Sequence, residues 1–402
     1  MIYTEDFFAP GSTYPNDNLV QLVDSFTNEN INFIKTITWL DGTSMTDSHV
    51  DGIIYRKKGA DYYVHSSVPA GTSLSAGTFG VKADGQTDDS DALQKAFSFC
   101  GKNGWKLTLP IGEIVISQKI ECDMRNANNS RRFQLIGAGI NLTVFKCIGS
   151  SMTGGLYFLS DQNNPLYLTL SGFSMRRPDV PAASGGIGIY VEKLMGIAIR
   201  DVEVFKFNTG IQVMDTCSSL FENVKTHWGG TGFYAEMQTI TNPNALTFVN
   251  CGFNSNAVKG VVLRSIHNVK FDGCAFEGNY GNALEASYNA SNGRVGLNLV
   301  NNYFEGTSNG VDVYYAINAG GTANFIGNTF NRLTDSIYTS IYAISNTTEK
   351  SYLNFMGNGF LNAGDFVPAA DKPAVLLSGN MANTHYTDSN YYETATDVLV
   401  SI

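Results

Sequence analysis

The chain has 402 residues, 43% of them hydrophobic and 15% charged, which supports a large buried core and excludes a disordered polymer. Its 41 glycines and 39 asparagines against only ten prolines ask for many tight turns between short strands, not for a helical bundle. A net charge of −10 excludes nucleic acid as the main partner, since phosphate recognition needs a basic footprint.

No stretch reaches the roughly 18 to 20 apolar residues of a membrane span, so no membrane insertion is expected. Six cysteines, Cys100, Cys122, Cys147, Cys217, Cys251 and Cys274, contain no CxxC pair and no histidine grouping. They predict buried free thiols and no zinc site. The start, from Met1 to Asp6, lacks the basic end and apolar run of a secretory signal and predicts synthesis in a cytosol.

Residues 1–70 read as a small α+β attachment or cap domain. Leu19, Val20, Leu22, Val23 and Phe26 after Asn16-Asp17-Asn18 predict a short helix. Ile53-Ile54-Tyr55 and Tyr62-Tyr63-Val64 around Lys58-Gly59 predict a hairpin. The run from Val68 to Ser73 reads as a linker.

Next comes Phe79-Gly80-Val81-Lys82-Ala83-Asp84-Gly85, followed by Asp88-Asp89. Asp88 or Asp89 is expected to cap a helix with Ala92, Leu93, Ala96, Phe97 and Cys100 on its apolar face. Gly101 and Asn103-Gly104 stop it, and Trp105 is expected to be structural at the junction with the first strand. The acidic cluster lacks the closing glutamate and further ligands of a calcium loop, so capping explains it better.

This segment resembles the opening of the pectate-lyase-like right-handed parallel β-helix family, phage tailspikes especially. There a similar run with an aspartate pair leads through a capping helix into the first coils. The resemblance is specific over about 40 residues, with Val81 in place of the usual alanine, and is compatible with the chain to its end. It implies an all-β fold: a right-handed single-stranded parallel β-helix over 71–365, with an N-terminal capping helix. It further implies a homotrimer in a phage virion, made in the host cytoplasm, that binds and cleaves bacterial surface polysaccharide, either capsule or O-antigen. Residues 1–70 would join the phage tail or baseplate, and 366–402, ending in Asp397-Val398-Leu399-Val400-Ser401-Ile402, would supply a trimer-closing strand. No cofactor is implied.

An internal repeat supports the fold independently. A unit of the form apolar–x–(Gly/Asp/Asn)–x–x–apolar starts at Leu135, Leu170, Ile199, Phe221, Phe248, Phe271, Leu299, Phe325 and Phe355, at steps of 22 to 35 residues. Its third position, from Gly137 and Gly172 through Asp201, Asn223, Asn250, Gly273, Asn301 and Gly327 to Gly357, carries the residues that tolerate a left-handed bend. Its fourth ends in Cys251, Cys274, Asn302, Asn328 and Asn358, a stack suited to a side-chain ladder. A second unit, Gly–apolar–x–apolar, recurs at Gly188, Gly210, Gly232, Gly260 and Gly310. Irregular coils of this kind form a solenoid with side loops.

Outward residues of a solenoid align in columns about 4.8 Å apart. Six after each start stand Asn141, Arg176, Phe205, His227, Asn254, Glu277, Glu305, Asn331 and Leu361. Glu277 and Glu305 on successive coils should share charge poorly, leaving one neutral acid beside one carboxylate, as glycosidic cleavage requires. A turn ladder is the structural alternative. Four after each glycine stand Glu192, Met214, Glu236, Arg264 and Tyr314; here Glu236 and Arg264 are an ion pair or, functionally, an acid beside a uronate-neutralising arginine. Two after each glycine stand Tyr190, Tyr234 and Asp312, with Tyr338 in the same stripe, suited to an interface or to sugar stacking. Glu222 and Asp272 make a weaker carboxylate pair.

Trp228 reads as an exposed sugar platform and His227 as a polar neighbour or lyase base. The clustered aspartates of a calcium-dependent pectate lyase are missing, so no metal is expected. The catalytic candidates are therefore Glu277, Glu305 and Glu236, with His227, Trp228, Asn254 and Arg264 binding substrate. An endo-glycosidase is the leading reading. A glycan-binding fibre without activity and a pectin- or uronate-cleaving lyase stand as alternatives.

Overall fold

The computed structural model describes residues 2–23, 30–70, 73–125, 132–149, 152–161, 167–178, 185–238, 244–265, 267–287, 295–317, 320–333, 339–345, 350–362, 373–379, 384–392 and 398–400. The N-terminal part is a five-stranded sheet, in spatial order Ile2–Tyr3, Leu19–Val23, Asn30–Thr36, Asp61–His65, Tyr55–Lys58. The hairpin expected around Gly59 is present. The helix expected from Leu19 is instead a strand: Val20 and Leu22 are buried while Leu19 and Val23 face solvent, a period of two. Antiparallel pairing with Asn30–Thr36 settles the choice between the two periods. Phe26 lies outside the described residues.

From Ser73 onward the chain is a right-handed parallel β-helix. Two faces of each coil belong to one 19-stranded sheet, and the third face is an 11-stranded sheet. The capping helix Ser90–Asn103 closes the first coils, burying Leu93, Ala96, Phe97 and Cys100 and ending at Gly104 in the left-handed conformation, while Ala92 stays half-buried. Gly101 lies within the helix, where Cys122 Sγ packs where a Cβ would stand. The acidic cluster works differently from a simple cap. Asp89 accepts hydrogen bonds from the backbone N–H of Lys82 and Ala83, Asp84 from those of Gln86 and Thr87, and Asp88 from that of Ser90. These carboxylates fold the glycine-containing loop onto the helix start.

Every step of the repeat from Leu135 to Phe355 is an observed register pair, Leu135 opposite Leu170 through Phe325 opposite Phe355. From Gly172 to Gly357 the third position is left-handed, with φ between 51° and 72°, and turns the chain from the first face to the second. Gly137 is the exception. It needs glycine because a Cβ there would lie 2.1 Å from the Gly172 carbonyl oxygen.

Behind the bend runs a buried asparagine ladder. The backbone N–H and side-chain amide of Asn302 both donate to Asn328 Oδ1 at 2.9 Å, and Asn328 does the same to Asn358 at 2.9 and 2.8 Å. Asn358 continues the ladder to Asn390, one coil beyond the sequence reading. Inside the second face Phe276, Phe304, Phe330 and Phe360 stack with centroids 4.6 to 4.8 Å apart. Each buried ring of this kind stabilises the fold by about 1.5–3 kcal/mol. All six cysteines are free and buried, and Trp105 is buried against Phe99. Past residue 365, Thr384–Tyr392 and Val398–Val400 continue the parallel ladders.

Asn328→Ala strands the Asn302 amide groups and the Leu299 carbonyl that Asn328 now satisfies. It should destabilise the protein by about 2–4 kcal/mol. Asn354→Ala, in the half-buried ladder on the first face, should cost under about 1 kcal/mol. Denaturant unfolding of both variants checks this; equal losses would mean that burial does not set the ladder's contribution.

Candidate functional site

The second face ends in the outward column read from the sequence: Arg176, Phe205, His227, Asn254, Glu277, Glu305, Asn331 and Leu361 follow one another coil by coil. At its head Lys146, not Asn141, pairs with Arg176. Asn141 stands in a left-handed loop and reaches the column only by accepting a hydrogen bond from the Arg176 guanidinium.

Glu277 and Glu305 are direct register partners, one strand spacing apart. Their surroundings differ. Glu305 accepts hydrogen bonds from the Tyr303 hydroxyl at 2.7 Å and from Asn331 Nδ2 at 3.4 Å, which fix its carboxylate. The Glu277 carboxylate makes no hydrogen bond among the described residues; its backbone N–H donates to Asn254 Oδ1 at 3.2 Å and its carbonyl accepts from the Ser255 N–H at 2.7 Å. Burial pushes the Tyr303 phenol up, the bond to Glu305 adds to this, and the charge of Glu277 contributes further. Tyr303 therefore stays a protonated donor to Glu305, and its oxygen accepts from Asn331 Nδ2 at 3.2 Å. The sequence reading missed it, although it sits two residues before Glu305 on the same outward stripe.

Two coils toward the N-terminus, His227 Nε2 lies 3.1 Å from Glu203 Oε1, and Arg176 approaches Glu203 at 3.7 Å. The hydrogen bond from His227 is the largest cause holding the Glu203 carboxyl below its ordinary range; burial opposes it, and the charges of His227 and Arg176 reinforce it. Glu203, Lys225, Gly252, Ala275 and Tyr303 form the parallel column two residues inward, so period two was the signal that could have found both Glu203 and Tyr303. Trp228 is 53% exposed in a left-handed turn. With Phe205 and His227 it makes an aromatic wall, Phe205 lying 6.5 Å from Trp228 and 5.2 Å from His227 between ring centroids. The structure thus brings His227, Trp228, Asn254, Glu277 and Glu305 onto one stripe.

Glu236 and Arg264 lie elsewhere, on the third face. Glu236 accepts from the Tyr234 hydroxyl, while Arg264 pairs with Glu285 and donates to Ser287. The expected Glu236–Arg264 ion pair is therefore replaced by Glu285, a buried carboxylate that also holds Lys259 and accepts from Asn282 at 2.9 Å. The glycine repeat keeps register from Gly188 to Gly260 and is then followed by Ala283 and Asp312, so Gly310 falls out of it. Tyr314 consequently belongs with Tyr190, Tyr234 and Glu285, and Asp312 is fully buried. Tyr338 lies outside the described residues. Glu222 and Asp272 stand two coils apart, each in its own ion pair, with Arg200 at 2.9 Å and Lys270 at 2.7 Å. Among the described residues no three histidine, cysteine or carboxylate side chains cluster to hold a metal, and no helix is long and apolar enough to cross a membrane.

Residues 187–360 match the family model for right-handed β-helix regions. No curated protein sequence matches the chain. Among solved structures, the tailspike protein gp49 of Acinetobacter baumannii bacteriophage Fri1, a capsular polysaccharide depolymerase, is similar at TM-score 0.55 and 13% identity, over 100% of this chain and 75% of that one. ORF18 of Geobacillus virus E2 is similar at TM-score 0.55 and 16% identity, over 99% and 74%. The A-module of the mannuronan C-5 epimerase AlgE4 of Azotobacter vinelandii reaches TM-score 0.50 at 16% identity, over 81% and 99%. At these identities the likeness establishes the fold.

The lowered carboxyl of Glu203 has a defined pH signature. Its contribution to stability is present above the unfolded glutamate value of about 4.3 and is lost as pH falls through the lower folded value. Glu203→Gln should therefore be less stable than the parent at pH 7, with the gap closing below about pH 4. Urea unfolding across this range checks it; a gap that persists undiminished at low pH would remove the ionised Glu203 from the account.

Proposed function

We propose that the chain is a polysaccharide depolymerase of the phage tailspike kind, cleaving a bacterial surface glycan with Glu277 and Glu305. The observation that carries this is the placement of two carboxylates on adjacent coils of one outward column, one fixed by Tyr303 and Asn331 and the other unheld. A fixed carboxylate suits the base or nucleophile, and an unheld one suits the acid that must reach a leaving oxygen. Trp228, His227 and Asn254 continue the stripe as substrate-binding positions. The depolymerase activity of the Fri1 spike, which shares the fold, supports a surface polysaccharide as substrate.

Cleavage by a carboxylate pair proceeds by protonation of the glycosidic oxygen from Glu277 while Glu305 attacks the anomeric carbon or activates a water. Strand spacing of about 4.8 Å between the two backbones favours the shorter, retaining separation of about 5–5.5 Å. One observation favours a second reading. His227, polarised by Glu203 and near Arg176, is a base beside a uronate-neutralising cation, the pair that β-elimination uses.

Glu277→Gln and Glu305→Gln should each lower turnover of the polysaccharide that the parent cleaves by about 10²–10⁴-fold, with thermal unfolding unchanged. Reducing ends without ultraviolet absorbance from an unsaturated uronate are the expected product. Full turnover in both variants, with loss in His227→Ala and absorbance from the product, would replace hydrolysis by elimination.

The third face supports a homotrimer, with residues 1–70 as the attachment to the phage tail. Its stripe of Tyr157, Tyr190, Tyr234, Tyr314 and Tyr342 places half-buried rings along one flat sheet, a surface that association would cover. Light scattering should give three times the 43.6 kDa chain mass; a stable monomer at micromolar concentration would defeat this.

A further inference from the structure

A groove of about 190 Å³ opens on the first face, lined by His267, Asn268, Gly296, Thr322, Lys350 and Tyr352. It lies on the opposite side of the Gly273 bend from Glu277 and belongs to a different column. Asn268, Gly296, Thr322, Tyr352 and His385 are register partners on successive coils. Tyr352 stacks on His385 at 5.4 Å and 18°, so one ring face is covered from the C-terminal side. Its other face looks along the solenoid toward Thr322, which is short, and Gly296, which has no side chain, so the space in front of the ring stays open. Gly296 cannot be enlarged cheaply, because a Cβ would stand 2.9 Å from the His267 carbonyl oxygen. Tyr352 remains 44% exposed.

The volume is below the roughly 300–1,000 Å³ of pockets that enclose drug-sized ligands, and it suits a single ring. A planar aromatic face, two short hydrogen-bonding side chains (Asn268 and Thr322) and a lysine at the rim define the chemistry of that ring. Lys350 has no ion-pair partner among the described residues, unlike Lys259 and Lys270, which are both held by carboxylates. This cation, unpaired among the described residues, sets the sign of the ligand. We propose that this groove is a second, non-catalytic glycan subsite that holds one anionic pyranose ring, its apolar face on Tyr352 and its carboxylate at Lys350. The proposal rests on the reading of the chain as a glycan-acting protein and adds the substrate class: an acidic polysaccharide, gripped away from the bond that is cut.

The test is a titration of the full chain with tetragalacturonate and with cellotetraose as the uncharged control, followed by saturation-transfer NMR. Tetragalacturonate should bind saturably and cellotetraose at least tenfold more weakly. Tyr352→Ala and Lys350→Met should each weaken tetragalacturonate about tenfold, the loss of one stacking or charged contact. Tyr352→Phe, which keeps the ring, should bind like the parent and guards against misfolding of the alanine variant. No saturable binding of tetragalacturonate, equal binding of the neutral sugar, or unchanged affinity in Tyr352→Ala overturns the proposal. A panel of capsular polysaccharides assayed for cleavage separates the two readings. Groove-dependent binding without cleavage by the parent would retain the subsite and sink the depolymerase; cleavage with groove-independent binding would do the reverse.

Discussion

Parallel hydrogen-bonded register between coils is the constraint on which the molecule depends. Each strand of the solenoid pairs with its equivalent one coil away at about 4.8 Å, so any side chain on one coil stacks on its counterpart on the next. The bend between the first and second faces keeps that register from slipping. Its left-handed residue, from Gly172 to Gly357, is followed by the buried ladder in which Asn302, Asn328 and Asn358 accept from the backbone N–H of Cys274, Asn302 and Asn328, each one coil away. A shift of one residue would break these bonds and turn the internal phenylalanine stack outward.

The same register produces the candidate site. What stacks Phe276 on Phe304 inside also stacks Glu277 on Glu305 outside, one residue further along each strand. In the core, repetition is favourable, because identical rings pack face to face. On the surface it sets two acidic side chains side by side, where a structural ladder would pair each with a cation, as Glu222 and Asp272 are paired. Among the described residues the Glu277–Glu305 pair has no such cation and is supported by a phenol and an amide instead. That contrast within one surface singles out the stripe beside Trp228.

The failures of sequence reading share a cause. Leu19, Val20, Leu22 and Val23 fit a helical and a strand period equally well over so short a stretch, and only the partner strand Asn30–Thr36 decides between them. On the third face the glycine template drifts after Gly260 because loops between faces differ in length, so equal spacing in sequence ceases to mean equal position. Arg264 then meets Glu285, which was absent from the pattern, in place of Glu236. Glu203 and Tyr303 were within reach of an alternation argument and lay one outward position from the column that was followed.

The sequence by itself determined the solenoid, its register and the pairing of Glu277 with Glu305. These follow from local chemistry repeated many times: glycine or asparagine where the backbone must turn left-handed, an apolar residue on either side, and asparagine where a buried amide needs a partner one coil away. Tertiary structure alone decided which polar residues are spent on each other and which face solvent unheld. Whether Arg264 neutralises Glu236 or Glu285, or whether Asn331 reaches Glu305, depends on side-chain reach across coils and on loop lengths. Such contacts are made between segments 20 to 30 residues apart, for example Lys259 with Glu285, and no local pattern encodes their distance.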